Sequence, residues 1–107
     1  MRRILFVCSR NKLRSPTAEA VFREDARAEV DSAGLNNDAE VPLTGEQVQW
    51  ADTILLMEEA HRRRLKQKFA GLLKGKRVEV LGIPDVYGYL DERLVKLLRE
   101  RCERYMS

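Results

Sequence analysis

The sequence predicts a three-layer α/β sandwich, with a four-stranded parallel sheet and helices on both faces. Three observations predict it. Four short apolar runs alternate with segments whose apolar residues recur at helical spacing. The first run, Ile4-Leu5-Phe6-Val7, is continuous rather than alternating, as in a strand covered on both faces. Capping and turn residues punctuate the chain between runs. Strand–helix alternation of this kind implies right-handed crossovers and a parallel sheet.

The first strand is predicted over residues 2–8. Ser15 is placed to cap the following helix, with Pro16 at its first position, where a missing N–H costs nothing. Ala18, Val21 and Phe22 then recur at helical spacing. Residues 29–32 read as a short second strand ending at Ala33-Gly34, and residues 35–42 as polar loop. Thr44 and Gln47 have capping-box spacing and open a short helix through Trp50, a packing residue.

Residues 53–57 form the third strand. A charged helix follows from Glu59 to about Leu73, with Leu65, Phe69 and Leu72/Leu73 inward and Gly75 as its stop. Residues 77–81 alternate as a fourth strand, and residues 82–89 are loop. Asp91 is placed to cap a last helix whose Leu94, Leu98, Cys102 and Tyr105 share one face.

The chain has 107 residues, 44% of them hydrophobic and 35% charged, which suits one folded domain over 1–107. Its net charge of +3 suits an anionic ligand without requiring one. No apolar run approaches the roughly 20 residues needed to cross a bilayer, so no membrane partner is expected. Met1-Arg2-Arg3 precedes an apolar stretch far shorter than a signal peptide's. Two cysteines and one histidine are too few for a disulfide framework or a zinc site. No cofactor or metal is expected, and a cytoplasmic protein with reduced thiols is.

In open parallel sheets, ligands bind beyond the carboxyl ends of the strands. The segment there is Cys8-Ser9-Arg10-Asn11-Lys12-Leu13-Arg14-Ser15-Pro16. A strand delivers a cysteine to the sheet edge, and a short loop leads into a helix N-terminus. Such a loop turns successive backbone N–H groups inward as a nest for an oxyanion, and the helix dipole adds to it. Ser9, Arg10, Asn11, Lys12 and Leu13 supply the loop, and Arg14 closes it with a fork that matches two phosphate oxygens. The same field favours the thiolate of a cysteine placed there, and Ser15 is placed to donate a hydrogen bond to it. The spacing therefore sets a nucleophile beneath a phosphorus atom and donors around its oxygens.

With these residues in view, the sequence resembles the low-molecular-weight protein tyrosine phosphatases. The resemblance rests on Phe6-Val7-Cys8, Asn11 and the run from Arg14 to Phe22. It continues through Asp31-Ser32-Ala33-Gly34, Ala51-Asp52 leading to Met57, and Asp85 followed by Tyr87. It implies a phosphate loop after the first strand and hydrolysis through a phosphocysteine. Cys8 would be the nucleophile, with Arg14 and the amides of residues 9–14 as transition-state donors. Asp85 would protonate the leaving oxygen and then activate water. Asn11 would hold the loop in shape and Ser15 would stabilise the thiolate. Asp85 also stands on its own position, in a loop after the fourth strand, with Tyr87 near enough to form a pocket wall.

The chain departs from the family pattern at Arg10, usually glycine, at Lys12, usually apolar, and at Leu13, usually a second cysteine. It is also shorter, and residues 35–42 hold no aromatic side chain to stack on a phenyl ring. Arg10 and Lys12 suggest a preference for acidic substrates. His61 is expected to pack or face solvent. The basic stretch His61-Arg62-Arg63-Arg64 with Lys66 and Lys68 is expected to be a solvated helix face balanced by Glu58 and Glu59.

The expected partner is a phosphorylated protein or a small phosphomonoester. Two alternatives remain open at this point. One is an arsenate reductase using an external thiol. The other is a non-enzymatic phosphoprotein- or RNA-binding module, although a nucleic-acid partner is not favoured because it leaves Cys8, Arg14 and Asp85 without a purpose.

Overall fold

The structure is a computed structural model and describes residues 1–106. Strand β1 (Arg2–Cys8) pairs in parallel with β2 (Ala28–Gly34) on one side and β3 (Thr53–Leu56) on the other. Beyond β3 lies β4 (Arg77–Val80), giving the order β2-β1-β3-β4. The parallel sheet expected from the alternation is thus the one observed.

The period of two along β1 explains why its apolar run is unbroken. Ile4, Phe6 and Cys8 join a core with Ala18 and Phe22 of α1 (Arg14–Phe22) and with Leu94, Leu98 and Cys102 of α4 (Glu92–Met106). Leu5 and Val7 join a second core with Val48 of α2 (Gly45–Trp50) and Leu65 of α3 (Glu59–Phe69). Both faces of one strand are therefore covered, and each fully buried large side chain contributes about 1.5–3 kcal/mol. Chain order reverses on either side of β1, and this reversal opens a crevice beyond its carboxyl end, at Cys8.

Local chemistry sets the element ends. The Thr44–Gln47 capping box is formed as its spacing implied. Asp91 accepts from the Arg93 backbone N–H at 2.9 Å at the start of α4. Helix α3 stops at Phe69 and passes into a 3-10 turn, Ala70–Leu72; Gly75, at φ 80°, turns the chain into β4.

One expectation is corrected. Ser15 does not cap α1: the helix begins at Arg14, two residues before the expected first position at Pro16, and no side chain caps it. The Ser15 hydroxyl is committed to the Cys8 sulfur instead, and Pro16 sits third in the helix, still within the turn whose N–H groups have no intrahelical acceptor. No helix among the described residues is long and apolar enough to cross a membrane.

Candidate active site

The loop of residues 9–13 leaves β1 and enters α1 over a bed laid by residues 34–40. Leu35 and Asn36 donate backbone N–H bonds to the Cys8 and Ser9 carbonyls at 2.9 Å, and Glu40 donates to the Arg10 carbonyl at 3.0 Å. Gly34 permits this approach. A Cβ there would lie 2.5 Å from the Ala39 Cβ and 2.7 Å from the Ser9 carbonyl oxygen. Asn11 takes the left-handed backbone at φ 55°, a conformation asparagine tolerates better than most residues.

Side chains then fix the sulfur's surroundings. Asn11 Nδ2 donates to Ser15 Oγ at 2.9 Å and to Ser32 Oγ at 3.0 Å, and the Ser32 hydroxyl donates in turn to Glu19. With Ser15 Oγ already accepting from Asn11, its own hydrogen is left for Cys8 Sγ at 2.9 Å, the Ala33 carbonyl lying farther off at 3.5 Å. The Asn11 backbone N–H also points at the sulfur, 3.3 Å away. Both bonds place a donor hydrogen on the sulfur. The Arg14 and Ser15 N–H groups in the first turn of α1 have no intrahelical acceptor.

Arg14 is buried, and its Nη1 spends both hydrogens, on Glu58 Oε2 and on the Ile83 carbonyl, each at 2.7 Å. Its Nε lies 3.6 Å from Asp85 Oδ1, which reaches over from the exposed loop after β4. Sulfur, guanidinium and carboxylate border one cavity of about 480 Å³, lined also by Ser9, Arg10, Lys12, Leu13, Asn36 and Arg64. Such a cavity can take a tetrahedral oxyanion, with a sulfur on one side and a carboxyl group on the other. Among the described residues no group of three or more His, Cys, Asp or Glu side chains is placed to hold a metal ion.

The structure thus brings Cys8, Ser9, Arg10, Asn11, Lys12, Leu13, Arg14, Ser15 and Asp85 together. It does not bring Tyr87. That ring packs against the core with the Arg93 guanidinium 5.5 Å from its centroid, so the expected aromatic pocket wall is absent from the cavity lining.

Three residues at or just before the start of α3 belong to the site: Glu58 and Arg64, expected on a solvated face, and His61, expected to pack or face solvent. Glu58 holds Arg14. His61 is buried; its Nδ1 accepts from the Glu58 backbone N–H at 3.2 Å, so Nε2 carries the hydrogen and donates to Ser9 Oγ at 3.1 Å. Burial, then the nearby Arg14 charge, pushes the His61 pKa down to about 4. Arg64 donates to Ser9 Oγ at 3.2 Å and to the Asn36 side chain. A signal was available: His61 precedes Leu65 by four residues and so extends the inward stripe of α3 by one turn.

A doubly wound sheet with a cysteine under an anion nest at the first switch point defines a cysteine-dependent phosphatase. The comparisons with known proteins agree. Residues 3–49 match the profile of the low molecular weight phosphotyrosine protein phosphatases. A protein-arginine-phosphatase of Bacillus subtilis (strain 168) is 28% identical over 142 aligned positions, covering 94% of this chain and 95% of that protein. Among solved structures, an arginine phosphatase from Geobacillus stearothermophilus superposes with a TM-score of 0.80 at 22% identity, over 99% of this chain and 91% of that one. A low molecular weight protein tyrosine phosphatase from Streptococcus pyogenes gives 0.80 at 19% identity, with the same coverage. Residues 3–49 thus resemble that family in sequence, and the whole chain shares the fold of these solved structures.

Proposed function

We propose that this chain removes phosphate from a phosphorylated protein side chain, with small aryl phosphates as surrogate substrates. Cys8 attacks phosphorus in line, the P–O bond to the leaving group breaks, and Asp85 gives that oxygen its proton. The resulting phosphocysteine is hydrolysed by a water whose proton returns to Asp85, which frees the thiolate and inorganic phosphate. Arg14, through Nε and its second amino group, and the backbone amides of residues 9–14 carry the charge of the transferring phosphoryl group.

The observation that supports this best is the convergence of Cys8 Sγ, Arg14 and Asp85 on one cavity, with Ser15 and the Asn11 amide already aimed at the sulfur. A thiol nucleophile must stay reduced, so a cytoplasmic setting follows from the same reading. The alternatives have less to stand on. Arsenate reduction finds no second thiol at the loop and needs an external one as co-reactant: Leu13 is beside Arg14, and Cys102 is buried in the core with its thiol pushed up to about 12 by desolvation. A purely binding module gives the Ser15–Cys8 contact no task.

Hydrolysis of p-nitrophenyl phosphate tests the proposal. Wild type turns it over with inorganic phosphate as competitive inhibitor, and Cys8→Ser loses at least about a thousandfold in kcat. Absence of wild-type turnover anywhere across about pH 5–8 refutes it.

One observation favours a second substrate reading, phosphoarginine rather than phosphotyrosine. No aromatic ring lines the cavity, and the Bacillus subtilis relative is a protein-arginine-phosphatase. Paired phosphoarginine and phosphotyrosine peptides of one sequence decide it by their kcat/KM ratio.

A further inference from the structure

Several arginines away from the site are paired. Arg27 bridges Asp25 and Glu103, Arg93 holds Asp91, Arg77 holds Glu79 and Arg62 holds Glu59. Around the catalytic mouth, cations without a carboxylate partner gather. Among the described residues, none of Arg10, Arg63, Arg64 and Lys66 lies within ion-pair distance of a carboxylate. Lys12 has only an exposed contact to Glu40 at 3.9 Å.

The Arg14 charge is already met by Glu58 and Asp85. Of the other cations on the cavity rim, Arg10 and Arg64 have no carboxylate partner among the described residues and Lys12 has only the distant Glu40. Arg64 also lines a second depression, on the outer side of α3, together with Arg62, Arg63, Lys66 and Glu59. Arg64 is common to both hollows, so they meet at that residue, and the second carries Arg63 and Lys66 beside the Arg62–Glu59 pair.

We propose that this track, Arg10, Lys12 and Arg64 continued by Arg63 and Lys66, docks an acidic peptide segment flanking the phosphorylated residue. The proposal rests on the phosphatase reading of the cavity and adds the class of substrate to it. Charge complementarity selects the occupant: an extended chain bearing several Asp or Glu side chains meets cations along the track, whereas neutral or basic flanks leave them unpaired. Exposed pairs are individually weak, so the expected effect is a sum over several contacts and is sensitive to salt.

The test uses two pairs of peptides, one pair carrying phosphotyrosine and one phosphoarginine, each with acidic or neutral flanks. Binding is measured on full-length Cys8→Ser by fluorescence anisotropy, and p-nitrophenyl phosphate turnover of the otherwise wild-type protein serves as a control without flanks. In the pair that binds, the acidic peptide binds about three- to tenfold more tightly at low salt, and the gap closes by about 0.3 M salt. The double substitution Arg63→Gln with Lys66→Gln shrinks the gap and leaves p-nitrophenyl phosphate turnover unchanged.

Equal affinity for acidic and neutral peptides overturns the proposal, as does a gap that persists in the double variant. Tighter binding of a single-stranded RNA than of the acidic phosphopeptide assigns the track elsewhere and also overturns it. Loss of turnover alone, with the acidic preference intact, counts against the chemistry and not against the docking track.

Discussion

Residues 9–13 and residues 82–90 face each other across Arg14, but they are held in place differently. The first loop is bonded along most of its length, by Leu35, Asn36 and Glu40 from beneath and by His61, Arg64 and the Asn11 side chain from the flanks. The second is pinned at its two ends. Ile83 binds Met57 and Arg14, Arg101 holds the Leu81 and Gly82 carbonyls, and Leu90, at φ 58°, donates its N–H to Thr17 Oγ1. Among the described residues, residues 84–87 make no hydrogen bond, and Pro84, Asp85 and Val86 are exposed. An anion nest gains from being fixed before the anion arrives, because no reorganisation is then needed during reaction. A proton donor that must serve both a leaving group and a water gains from freedom to move.

The contrast predicts that activity and stability separate at the second loop. Asp85→Asn removes the proton but keeps the shape. It should lower kcat for an aryl phosphate by about a hundredfold or more and abolish one limb of the pH–rate profile. Because Asp85 is exposed and its only ion pair among the described residues is a 3.6 Å contact, unfolding free energy in urea should stay within about 0.5 kcal/mol of wild type. Unchanged turnover removes Asp85 from the mechanism, and a large stability loss would show the second loop to be as firmly built as the first.

The same contrast explains what the sequence made legible. The fixed loop is written locally: a strand, a Cys-x5-Arg spacing and a helix start lie within fifteen residues, and Gly34 marks the bed beneath them. The helix caps at Thr44 and Asp91 are local too, and both form as their spacing implies. The first turn of α3 is not local. Glu58, His61 and Arg64 enter the site because β3 delivers α3 beside β1, a consequence of strand order that charge patterning along one helix does not carry. Tyr87 erred the other way. Closeness in sequence to Asp85 suggested a shared pocket, but burial of its ring against the core outweighs that proximity.

His61 gives the second prediction. Its folded pKa of about 4 lies below the ordinary value near 6.5, so the unfolded chain takes up the proton first as pH falls. Stability from this group is complete above about pH 6.5 and is lost as pH drops toward 4, amounting to about 3 kcal/mol. Urea unfolding at about pH 7 and pH 4.5 should show a steeper loss for wild type than for His61→Gln, the difference isolating this residue from the carboxylates that titrate nearby. Parallel losses would mean that the histidine, though buried, does not govern how firmly the first loop is held at low pH.

The smallest effect concerns Glu58, which touches Arg14 between the two loops and can act through charge or through position. Arg14 Nη1 is saturated by Glu58 and the Ile83 carbonyl, which leaves Nε and the second amino group to meet an anion. In Glu58→Gln an oxygen acceptor remains while the charge is gone. The guanidinium keeps its place and is less neutralised, so phosphate inhibition should tighten about threefold, with KM falling alike and kcat within about twofold, the signature of uniform binding. Glu58→Ala removes the hold itself. One Nη1 hydrogen is released, the fork can rotate away from the in-line geometry, and kcat should fall about tenfold with little change in KM. If the two variants lower kcat equally, the carboxylate's charge rather than its grip is what Arg14 requires. The firm loop would then owe its fixed guanidinium to Ile83 alone, on the loop that otherwise moves.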